Sequence, residues 1–441
     1  MTGAPEAARP TGPSGPVELR RELGLVDAVV VGLGAMLGAG VFSVFAPASR
    51  AAGTGLLPAL AVAALVAYCN ATSSARLAAV HPRAGGTYLY ARRRLSPTWG
   101  FLAGWAFVVG KTASCAAMAL TAGAYAWPDH PKPVAVLAAC AMTAVNYRGV
   151  TKTARLTRVL VAGTLLALVS VVVAALAGGT ATMSRLAEPP RGGLYGVLQA
   201  AGLLFFAFAG YARIATLGEE VRDPERVIPR AVPLALGLVV ATYAVVGTAV
   251  LLALGADVLA VSTAPLRDAV RVGSLDWLAP VVRVGAVAAS LGVLLSLMAG
   301  VGRTTLAMSR DRELPAVLAA VHPRFGVPHR AELALGVVVM AVVLVADLRS
   351  AIGFSGVGVL IYYALANASA WTLPGPDRRW LRPLAAVGLT GCVVLIATLP
   401  PGSVLAGLCA LAAGLATRWV LQAVRRRRSA NRSGSGLNGA G

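Results

Sequence analysis

The 441 residues are 57% hydrophobic and 13% charged, with a mean hydropathy of +0.74. A soluble domain carries roughly 25% charged residues, so a water-soluble globule is excluded and most of the chain belongs in lipid. The net charge of +21 raises nucleic acid as a partner, but the charge is gathered between apolar stretches, which argues against it.

Residues 1–19 are rich in Pro, Gly and Ala without a compact apolar run, so they read as a disordered tail and not as a cleavable signal peptide. Apolar stretches of the length that crosses a bilayer follow at about 25–46, 55–79, 99–127, 133–147, 156–177, 194–217, 230–254, 278–306, 331–347, 350–373, 382–399 and 402–424. The expected fold is all-α and integral to a membrane, with about twelve transmembrane helices spread over a body of residues 20–424. The loop after the second stretch, HPRAGGTYLYARRRLSPTWG, carries Pro82, Gly85 and Gly86 as helix breakers and Tyr88 and Tyr90 as interface anchors. The sixth stretch ends in GEEVRDPERVIPRAV, where Asp223-Pro224 marks a turn and Pro229 can open the next helix. The eighth runs into MSRDRELPAVLAAVHPRFGVPHRA, again basic and punctuated by proline. Residues 425–441, with the run Arg425 to Arg428, read as a basic disordered tail.

With the N-terminus in the cytoplasm, most of the 39 Lys and Arg fall in cytoplasmic segments, including Arg92 to Arg94, Arg148/Lys152/Arg155/Arg158, Arg310/Arg312 and Arg378/Arg379. That asymmetry predicts a multi-pass protein of the cell membrane with both termini inside, its basic end against anionic headgroups. Cys69, Cys115, Cys140, Cys392 and Cys409 all lie in apolar stretches and read as small buried residues. No metal-ligand spacing, nucleophile–base set or phosphate loop stands out, so neither an enzyme nor a cofactor is expected, nor a required protein partner.

Two stretches contain breaks at matching places in the two halves. Gly38-Ala39-Gly40 interrupts VVVGLGAMLGAGVFSVF, and Ala209-Gly210 interrupts LLFFAFAGYARIATLGEEV. Unwound backbone survives in a bilayer only where it lines a cavity or is buried in protein, and paired broken spans point to the binding site of a secondary transporter. Glycine is also common in membrane helices for close packing alone; the pairing and the sequence after the second break favour the binding-site reading.

GLGAMLGAGVF, PRAGGTYLYARRR, FFAFAGYARIATLGEEVRDPERVIPRAV and SRDRELPAVLAAVHPRFGVP, in this order and topological placement, resemble the amino acid–polyamine–organocation permease superfamily. The segment around the second break most resembles cationic amino acid transporters and their bacterial relatives. The resemblance covers about residues 20–424 and implies the leucine-transporter-like inverted repeat: repeat one over about 25–177, repeat two over about 194–373, and two extra helices over about 382–424.

It also implies a substrate site. The α-carboxylate would meet backbone N–H groups at Gly38, Ala39 and Gly40, where the positive end of a half-helix suits an anion. Many relatives have Ser or Thr at the middle position; Ala39 lacks that hydroxyl, which leaves backbone contacts. The α-ammonium would meet carbonyls of Met36, Phe206 and Ala209 beside Gly210, with Phe206 as the aromatic wall over the substrate. Where relatives often carry an acid, this chain has Ala212, followed by Arg213 within the span. Lys111 interrupts the third span and could supply the charge that some relatives place in the fifth. Arg213, Lys111 and the Glu219-Glu220 pair are therefore the candidates for gating or coupling; ordinary counter-ion pairing is the competing reading of each.

The expected activity is alternating-access transport of amino acids. Carboxylates are confined to span ends, which favours neutral or small substrates, and protons are favoured over obligate exchange as the driving force. The alternatives kept open are an exchanger, a cationic amino acid or polyamine permease, and a non-transporting amino acid sensor.

Overall fold

Unbroken apolar stretches bounded by Pro, Gly and Arg form helices because lipid offers no outside partner to backbone N–H and C=O groups. The computed structural model describes residues 23–81, 85–149, 154–215, 220–375 and 378–435, with the backbone alone over 424–435. In the first half the helices are α1 (Leu25–Met36), α2 (Ala39–Ser43), α3 (Phe45–Ala52), α4 (Leu56–Val80), α5 (Gly86–Arg94), α6 (Pro97–Ala126), α7 (Pro131–Tyr147) and α8 (Ala154–Ala177). The second half adds α9 (Gly193–Phe208), α10 (Ala212–Ala215), α11 (Pro224–Val261), α12 (Pro265–Arg271), α13 (Ala279–Arg310), α14 (His329–Val345), α15 (Leu348–Trp371), α16 (Arg378–Thr398) and α17 (Pro401–Ser435).

Among the described residues, ten helical stretches are long and apolar enough to cross a membrane. The fourth and ninth predicted spans are the 17-residue helices α7 and α14. Long α6 runs through the middle of the bundle, packed by α15, α13, α7 and α14. Its closest crossing is with α15 at Gly110 and Gly358: a Cβ on Gly358 would lie 2.7 Å from Gly110 Cα and 2.8 Å from Ala106 O. Without a hydrophobic driving force between helices in lipid, such small-residue crossings let backbones pack in direct van der Waals contact.

Several features depart from the sequence reading. The loop after α4 holds a helix, α5, started at Gly85 and Gly86, both with positive φ; Tyr88 and Tyr90 are buried in it and are not interface anchors. Helix α11 opens at Pro224 and not near 230, because Asp223 takes a left-handed conformation (φ 52°) that turns the chain into it. Helix α17 continues to Ser435, through the basic segment expected to be disordered, since Arg and Ala are strong helix formers joined to an existing helix. Cys140 and Cys409 are exposed on the bundle's outer surface, whereas Cys69, Cys115 and Cys392 are buried.

Candidate functional site

The two glycine breaks are real, and they meet. Helix α1 stops at Met36; after Leu37 and Gly38 the chain resumes as α2, which passes through Val44, still right-handed helical, into α3. Helix α9 stops at Phe208, and α10 starts at Ala212. A Cβ on Gly210 would run into the carbonyl group of Ala35 and lie 2.7 Å from Met36 N, and one on Gly40 would lie 2.8 Å from Ala207 Cα. Gly38 is closed in by Val293 of α13. The glycines therefore serve two ends at once: they permit the break, and they let the two broken helices cross backbone on backbone.

The carbonyls released by the breaks are not left open, contrary to the expectation for Met36 and Ala209. The Tyr243 hydroxyl of α11 lies 2.6 Å from Met36 O and 3.0 Å from Ala207 O. Ala209 O accepts from the Tyr363 hydroxyl of α15 at 3.1 Å and from Lys111 Nζ of α6 at 3.4 Å. Lys111 is only 7% exposed, next to the Gly110–Gly358 crossing that seats α6 against α15. Buried carbonyls without partners are costly, so in this conformation side chains from three other helices satisfy them. The missed residues are thus Tyr243 and Tyr363. Their signal was a tyrosine deep in an apolar helix, whose hydroxyl needs a partner.

The remaining candidates fall as follows. Phe206 is 7% exposed, one residue before the Ala207 that touches Gly40. Arg213 is exposed on α10, the short helix that follows the break; Glu220 and Arg303 lie within its electrostatic range. Glu219 lies outside the described residues. The Glu220 backbone carbonyl accepts from Leu23 N at 3.1 Å, and Leu23 O accepts from Arg222 N at 2.9 Å. That parallel bridge ties the start of α1 to the segment after α10.

Comparison with known proteins decides the family. The amino acid permease family model matches residues 23–414. The chain belongs to the amino acid permease family. It is a multi-pass membrane protein and not an enzyme. The permease is 60% identical to an uncharacterized transporter of Mycobacterium tuberculosis over 95% of both chains. It is 28% identical to cationic amino acid transporter 4 of Homo sapiens over 80% of this chain and 59% of that one. It is 27% identical to a branched-chain amino acid permease of Bacillus subtilis over 72% and 73%.

On the side of the crossing away from the Arg-rich loops, polar contacts tie the helices to one another. The Tyr125 hydroxyl at the end of α6 donates to Phe42 O of α2 at 2.8 Å and accepts from Leu266 N of α12 at 3.2 Å. Ser49 of α3 donates to Ala256 O of α11 at 2.9 Å, and Arg283 of α13 reaches Ala126 O at 2.8 Å. On the Arg-rich side, Asp27 of α1 pairs with Arg158 of α8. There too Arg92 of α5 binds Asp311 at 2.9 Å, and Arg418 of α17 grips Glu313 with two bonds of 2.6 and 3.2 Å.

Proposed function

We propose that the permease is a secondary active transporter that moves amino acids by alternating access, coupled to protons and selective for neutral or small amino acids. The crossing of the two broken helices is the observation that carries this reading. The substrate's α-carboxylate would be taken by the backbone of Gly38, Ala39 and Gly40, at the start of a half-helix running on through α3. Its α-ammonium would displace or share the hydroxyls now on Met36 O and Ala209 O, next to Gly210, with Phe206 as the wall. The Arg-rich side would face the cytoplasm of a cell membrane, with Arg213, Glu219 and Glu220 at the inner gate.

Charge supports the substrate preference. Among the described residues that meet at the crossing, groups are backbone, apolar or tyrosyl, apart from the ammonium of Lys111. A second positive charge there would be repelled in a low dielectric. The second reading, a cationic amino acid permease, draws on the printed name of the human relative, and the Bacillus subtilis relative's name favours the first. The test is uptake of labelled neutral, cationic and acidic amino acids and amines into proteoliposomes, with and without an inward proton gradient. Gradient-driven accumulation of alanine is expected. Saturable arginine or lysine uptake without alanine uptake would overturn the preference, and uptake only into amino acid-loaded vesicles would mean an exchanger.

Lys111 then acts by holding Ala209, and through it the second break, onto α6. A charge-assisted hydrogen bond is worth about 1.5–3 kcal/mol, so Lys111→Met is expected to slow initial alanine uptake by at least about tenfold. Wild-type rates in this variant would remove Lys111 from the gating machinery.

A further inference from the structure

A second buried ionisable group lies apart from the crossing. Glu332, in the first turn of α14, is 2% exposed. Its carboxylate fills a notch on α13 that exists only because residue 302 is glycine: a Cβ there would strike Oε1 and lie 2.9 Å from the carboxyl carbon. Oε2 is buried and has no hydrogen-bond partner among the described residues. Three residues earlier, on the same helical face, His329 presents a buried Nδ1 that is likewise without a partner.

Burying a carboxylate without a partner is expensive, so a buried acid is kept where it handles charge. Structural ion pairing explains Glu332 poorly, since one of its oxygens is left unsatisfied. The elements packed on α14 bring few charges to it. Helix α13 brings Arg303, which is exposed; α6 brings Cys115, with Lys111 one turn away. From α7, Tyr147 stands edge-on to His329 at 6.2 Å between ring centroids, Thr143 Oγ1 donates to Ala139 O and Asn146 Nδ2 donates to Leu295 O. The turn Ala316–Ala319 brings none. From the adjoining loop, the His322 ring lies 5.4 Å from that of His329. Glu332 Oε2 and His329 Nδ1 are each without a partner and so are not bonded to each other, but they stand one helical turn apart at the Arg-rich end of α14, where a side-chain movement or a bridging water would let a proton pass between carboxylate and imidazole.

We propose that Glu332 is the proton-binding group of the transport cycle, taking a proton on Oε2 and passing it to cytoplasmic water by way of His329 Nδ1. This rests on the proton-coupled reading above. Two measurements on the full chain in lipid test it. In infrared difference spectra between acid and neutral pH, a buried carboxylic acid band is expected in the wild type and absent in Glu332→Gln; identical spectra would overturn the assignment whatever the substrate. In vesicles holding a pH dye, with L-alanine as the probe, Glu332→Gln is expected to cut proton entry per alanine about tenfold or more. Counterflow of labelled alanine at equal pH should stay within about twofold, and Glu332→Asp should restore at least half of the proton entry. Gly302→Ala, which crowds the carboxylate, should lower proton entry as well. Wild-type proton entry in Glu332→Gln would overturn the inference alone. Loss of counterflow together with proton entry would overturn it in favour of a structural role. Alanine transport by the wild type with no proton movement would instead remove the coupled reading, and Glu332's role with it.

Discussion

Gly210→Ala is expected to reduce amino acid uptake at least a hundredfold while a matched substitution elsewhere does nothing. The added methyl would meet the backbone of Ala35 and Met36, and backbone cannot turn aside as a side chain can. Relief requires the two broken helices to move apart, which also pulls Met36 O and Ala207 O away from Tyr243 and Ala209 O from Tyr363 and Lys111. Overpacking alone costs about 1–3 kcal/mol, and each carbonyl stripped of its partner adds about 1–3 kcal/mol. Gly237 in α11 is the control, since a Cβ there meets nothing within 4 Å. Alanine at a helix interior is favoured over glycine by about 0.5–1 kcal/mol, so Gly237→Ala should transport normally and melt no lower than the wild type. Proteoliposome uptake and thermal melts in detergent read both. Normal uptake by Gly210→Ala would mean that the crossing is looser than its contacts describe.

The second large effect is expected at the Glu313–Arg418 pair. Both side chains are under 10% exposed, and Arg418 also donates to Thr98 and lies over the Phe101 ring, 5.1 Å from its centroid. Removing one partner of a buried pair costs about 3–5 kcal/mol; Arg92, 3.8 Å from Glu313, offsets part of that when Arg418 is the one removed. Arg418→Met alone, or Glu313→Gln alone, should therefore lower the melting temperature sharply, and the double replacement should recover most of the loss. Location sharpens the prediction. Only 22% of the apolar stretch of α17 is buried, so this pair is a principal anchor of that helix. If the double variant melted as low as either single one, the pair would be contributing geometry through Thr98 and Phe101 more than charge balance.

The helices and the two breaks were legible because they depend on local sequence: apolar runs of sufficient length, and glycine at the positions where backbone must meet backbone. Gly38, Gly40 and Gly210 were found for that reason. What the sequence concealed was which groups answer the broken backbone. Tyr243 and Tyr363 stand 207 and 154 residues from the carbonyls of Met36 and Ala209, and a lone tyrosine in an apolar run carries no periodic signal. Cys140 and Cys409 were misread because lipid tolerates an apolar residue facing outward as readily as inward, so hydropathy cannot tell the two faces apart.

The short parallel bridge between Leu23 and Val221 bears on the proposed transport cycle. It fastens the leading end of the first broken helix to the chain emerging from the second. Two half-helices that could swing independently would give four arrangements of the inner gate, two of them leaky. Fastened, they would share one degree of freedom in the alternating-access cycle proposed above, which would disfavour a half-open gate through which ions could slip without substrate.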